Sequence, residues 1–96
     1  MTREIRQLGA IPEHPKVVGW EVIAWHTPQW WRFLSEITEL VTITSARLQD
    51  GGWYDWLLWT QACAERDPAG SRPVIEMLTK DNCGLLRFTL LAARKN

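Results

Sequence analysis

The sequence predicts an α+β fold in which helices pack on a small antiparallel β-sheet. Three segments carry apolar residues at helical spacing, and two carry the alternating or β-branched pattern of strands. At 96 residues the chain makes one domain at most. Residues 1–16 read as a polar arm and a Pro-rich entry. Residues 17–96 read as the helix–strand–helix–helix–strand body.

Met1 to Leu8 has mixed charge and room for one or two helical turns. Gly9, Pro12 and Pro15 then break the chain, because residues before proline avoid the helical region. Val17 to Trp25 is rich in β-branched and aromatic residues, so extended structure is expected there, weakened by Gly19.

Thr27-Pro28 is a helix start. Threonine can cap the free amides, and proline suits the first position because no donor is needed there. Trp30, Phe33, Leu34 and Ile37 share one face of the helix expected from Pro28 to Glu39. From Leu40 to Leu48 the period changes to two: Val41 and Ile43 alternate with Thr42 and Thr44, as in a strand with one buried face.

Asp50-Gly51-Gly52 is turn chemistry. The segment Trp53 to Trp59 fits a strand or a helix. The apolar pattern continues through Thr60 and Cys63, which selects a helix to about Glu65. Asp67 to Pro73 reads as a loop. The helix after it carries Val74, Met77 and Leu78 inward and ends near Gly84. Leu85 to Ala93 is an apolar, β-like run, and Arg94-Lys95-Asn96 is a solvated tail.

Eleven basic and eleven acidic residues cancel, which argues against a nucleic-acid or anionic-membrane surface. No apolar run is long enough to span a membrane, and Met1–Leu8 lacks the apolar stretch of a signal peptide, so a cytoplasmic location is expected. Cys63 and Cys83 are too few for a disulfide framework and lack metal spacing, and no metal site is expected. The unusual feature is seven tryptophans: Trp20, Trp25, Trp30, Trp31, Trp53, Trp56 and Trp59.

Several motifs together resemble one family. They are His26-Thr27-Pro28-Gln29-Trp30-Trp31-Arg32, Thr38-Glu39-Leu40-Val41, Asp50-Gly51-Gly52-Trp53, Trp56-Leu57 and the closing Leu86 to Arg94 run. They resemble the C-terminal part of bacterial class I S-adenosylmethionine-dependent methyltransferases, from about Thr2 to the end. Two departures are visible. Glu39 stands where the resemblance expects glycine, and the turn has an extra Gly52. The resemblance implies that Leu40–Leu48 and Leu85–Ala93 are the last two strands of a Rossmann-like sheet, with Pro28–Glu39 as the helix before them. The first five strands and the glycine-rich donor loop would be absent. No G-x-G pattern occurs. The resemblance therefore implies the substrate-side portion of a methyltransferase that binds no S-adenosylmethionine alone. Its partner would be an N-terminal methyltransferase half, or a second copy, along the free final strand. The alternative from another class is a stand-alone interaction, dimerisation or small-ligand module that uses a Trp-rich surface.

The candidate site residues follow. His26 could serve as general base toward a methyl-accepting hydroxyl or amine, or pack against Trp25 or Trp30. Trp30, Trp53 and Trp56 fall on apolar stripes, whereas Trp31 and Trp59 lie off them. The latter two are candidates for a ligand pocket or a chain–chain contact. Trp30, Arg32 and Tyr54 complete the substrate-binding set.

Overall fold

A computed structural model describes residues 1–96. It is mixed α+β, with four α-helices and one 3-10 segment around a two-stranded antiparallel sheet. In chain order these are α1 (Ile5–Leu8), the 3-10 segment (His14–Ala24), α2 (Pro28–Ile37), β1 (Val41–Leu48), α3 (Gly52–Cys63), α4 (Pro68–Asp81) and β2 (Thr89–Lys95).

The start signal of α2 works as expected: the Trp30 amide donates to Thr27 Oγ1 at 3.3 Å. The helix stops at Ile37, two residues before the expected end. Residue 39 explains the difference. Glu39 has φ +61°, a left-handed conformation that cannot continue the helix.

Four other expectations are corrected. Val17–Ala24 is not extended: it lies within the 3-10 segment, which kinks at Gly19 with φ +62° and ψ −132°, and only Trp25, just after it, has extended backbone. Asp67–Pro73 is not a loop. Asp67 accepts from the Gly70 amide at 3.1 Å and starts α4 at Pro68, and Pro73 is accommodated inside the helix. That helix ends on left-handed Asn82 rather than at Gly84. The final strand runs Thr89–Lys95, so it starts later than expected and takes in two residues of the supposed tail.

The stripe of α3 is as read from the sequence. Trp53 and Thr60 are buried, and Trp56, Leu57 and Cys63 are half-buried. The helix ends at Cys63, slightly short of Glu65. Strands β1 and β2 pair from Val41↔Lys95 to Leu48↔Thr89, and Thr44 is bulged between Ile43 and Ser45.

The core lies among α3, α4, the 3-10 segment and the amino-terminal residues. Met1, Trp53, Met77, Leu78 and Leu86 form it, with Val18, Trp25, Trp56 and Val74 packed around them. The polar arm is thus docked: Met1 is buried, and the Thr2 amide donates to the Leu85 carbonyl at 2.9 Å. Asp81 fastens the other side of this core. Its buried carboxylate accepts from the amides of Gly84, Leu85 and Leu86 at 3.0–3.2 Å, and from His14 Nε2 at 2.9 Å.

The sheet and α2 sit beside this core. Arg32 Nη2 ties α2 to the Ile43 carbonyl at 3.4 Å. The expected inward stripe of α2 is not inward: Phe33, Leu34, Ile37 and the following Leu40 are exposed at 65, 41, 61 and 70%. Only 14 of 96 residues are buried, so much apolar surface is left without a cover. No helix is long and apolar enough to cross a membrane.

Candidate functional site

A cleft of about 630 Å³ opens where the two parts of the molecule meet. Trp25 follows the 3-10 segment, Trp31 comes from α2 and Trp56 from α3, and Phe88 precedes β2; all four line it. Trp56 stands edge-on to both Trp25 and Phe88, with ring centroids 5.6 Å apart in each case. T-shaped contacts of this kind hold aromatic walls in place. Polar groups are few: His26, Glu21, Arg87 and Thr89. The Arg87 guanidinium donates through Nε and Nη2 to the Cys83 carbonyl at 3.1 and 3.0 Å. Thr89 Oγ1 is buried and has no hydrogen-bond partner.

His26 is the most constrained group at this site. Its ring lies flat on Trp30, 3.5 Å between centroids and 8° from parallel, with Trp31 edge-on at 6.0 Å. Its Nδ1 meets Glu4 Oε1 at 2.5 Å, and the other carboxylate oxygen accepts the Thr27 amide at 2.6 Å. The Glu4 carboxyl retains 14% exposure. Burial works to raise its pKa, but hydrogen bonds from His26 and from Thr27, with the His26 charge, outweigh that and hold it below the ordinary carboxylate value. An ionised carboxylate only accepts, so Nδ1 must carry the proton. When the imidazole is neutral its lone pair lies on Nε2, which has no hydrogen-bond partner in the protein.

The Met1 amino group borders the same cleft, donating to the carbonyls of His26 and Arg87 at 2.8 and 3.1 Å. Burial lowers its pKa, against the opposing pull of Glu4 and Asp81.

Of the sequence candidates, His26 and Trp31 reach the cleft, and Trp30 supports it from behind the His26 ring. Arg32 does not: it pairs with Glu36 at 3.1 Å and with β1. Tyr54 is 60% exposed on the outer face of α3, edge-on to Trp53. Trp59 is 70% exposed and borders a separate shallow cleft of about 410 Å³ with Gln49, Asp55 and Phe88. Sequence reasoning missed Glu4, Trp25, Trp56 and Phe88 as site residues. The off-stripe criterion excluded Trp56, and nothing local links Glu4 to a histidine 22 positions away.

Gly51-Gly52 is the one glycine pair between a strand and a helix. The Phe88 ring fills that turn, with its Cδ2 2.8 Å from where a Cβ on Gly52 would stand. No three His, Cys, Asp or Glu side chains converge as metal ligands. Comparison with protein-family models, curated proteins and solved structures finds no match.

Proposed function

We propose that this chain is the substrate-side, C-terminal portion of an S-adenosylmethionine-dependent methyltransferase, completed by a separate donor-binding portion and inactive alone. The supporting observation is the backbone at Glu39. The motif comparison expects glycine at this position, and residue 39 adopts φ +61°, a conformation that glycine enters without steric cost. The torsion owes nothing to the motif comparison.

The rest of the surface is consistent with an incomplete sheet. The outer edge of β2 is unpaired, and the apolar side of α2 is bare. On this reading the partner portion pairs along β2 and covers α2, and the Trp-lined cleft receives the methyl acceptor. A cytoplasmic location goes with it.

Calorimetric titration of S-adenosylmethionine and S-adenosylhomocysteine tests the proposal, with solution mass measured on the same sample. The chain alone should give no binding heat. Mixed with a class I N-terminal portion that carries the glycine-rich loop, it should form a donor-binding complex. Saturable donor binding by the chain alone would overturn the reading. A homodimer indifferent to that portion would favour a stand-alone dimerisation module instead.

A further inference from the structure

We propose that the cleft takes a flat aromatic ring bearing a hydroxyl group, and that Glu4 is a positioning residue that makes His26 Nε2 the acceptor of that hydroxyl's proton. This rests on the function above only in calling the ligand a methyl acceptor; the recognition itself rests on geometry.

The aromatic walls select the ring. Trp25, Trp31, Trp56 and Phe88 offer indole and phenyl surface from four parts of the chain, and their T-shaped contacts fix the spacing. A volume of about 630 Å³ lies within the range of small-molecule sites, roughly 300–1,000 Å³. Cleft polarity selects the hydroxyl. Arg87 directs Nε and Nη2 to the Cys83 carbonyl, which ties its guanidinium down within the chain without cancelling its charge. His26 Nε2, an acceptor in the neutral ring, has no partner, and Thr89 Oγ1 is a second unpartnered polar atom among the lining residues. The remaining charged groups nearby are Glu21 and the Met1 amino group.

Glu4 acts through a tautomer. Its two oxygens take the Nδ1 proton of His26 and the Thr27 amide, which orients the ring and leaves Nε2 bare. Trp30 stacked beneath the imidazole blocks rotation out of this position. A glutamine at residue 4 would still accept the Thr27 amide through its carbonyl. Its amide nitrogen would then donate to Nδ1, moving the histidine proton to Nε2. The site would keep its shape and lose its acceptor.

Two probes read this directly: 2-naphthol, and 2-methoxynaphthalene, which has the same ring without a donor. Quenching of tryptophan fluorescence in the full chain should show 2-naphthol binding roughly fivefold more tightly, the worth of one neutral hydrogen bond. Nitrogen-15 spectra of His26 should show the proton on Nδ1. Glu4→Gln should move the proton to Nε2 and abolish the preference for 2-naphthol. Equal affinity of the two probes for the unaltered chain, or a proton on Nε2 in it, would overturn the proposal without recourse to any variant. Donor titration is independent of these readouts. If the chain alone bound the donor while 2-naphthol kept its preference, the function above would fail and this inference would stand.

Discussion

Glu4 and His26 lie 22 residues apart in sequence and meet at 2.5 Å, and that contact joins the amino-terminal turn to the start of α2. The same carboxylate receives the Thr27 amide, so one side chain orders both the histidine and the helix cap beside it.

This pairing makes stability sensitive to acid in a defined direction. The folded Glu4 pKa lies below the ordinary value of 4.5. Its contribution is therefore complete above that value and is lost as pH falls through the lower, folded value. Unfolding free energies from urea titration of the unaltered chain and Glu4→Ala should differ by about 1–3 kcal/mol near neutrality, and the gap should narrow as pH falls below 4.5 through the folded value. A gap that does not change with pH would contradict the pairing.

Glu39→Gly should stabilise the chain by about 1 kcal/mol, because glycine removes the steric cost of the left-handed conformation. Thermal or urea unfolding measures it. The side chain is exposed, so no packing is lost to offset the gain.

Asp81→Ala should be among the most damaging changes, at about 3–5 kcal/mol. It strands three backbone amides and leaves His14 without its partner, beneath a carboxylate that is only 1% exposed. Chemical denaturation with circular dichroism would show the loss.

Leu78→Ala should cost about 2–5 kcal/mol through a cavity, because Leu78 is fully buried. Phe33→Ser, on the bare side of α2, should change stability by less than about 0.5 kcal/mol. The same change should weaken assembly with the donor-binding portion, which sedimentation can follow.

Local signals were legible where local chemistry decides the outcome. Thr27-Pro28 starts α2, and the Trp53–Cys63 period forms α3 as read. Val17–Ala24 was misread because β-branched and aromatic residues favour any half-buried surface, while proline at the entry and the kink at Gly19 decide the backbone. Phe33, Leu34 and Ile37 were correctly placed on one face, yet periodicity cannot say whether another element covers that face. The site was the least legible part. Trp25, Trp56 and Phe88 come from separate parts of the chain, and the partner of His26 is the cap of α1, whose local pairing with Gln7 says nothing of a histidine 22 residues on.

Hydrogen exchange on β2 tests the central claim most directly. The amides on its outer edge should exchange freely in the isolated chain. They should become protected when a class I N-terminal portion with its five strands and S-adenosylmethionine are added, together with the α2 side bearing Phe33 and Ile37. Unchanged exchange along β2, with the two polypeptides remaining separate, would contradict the account.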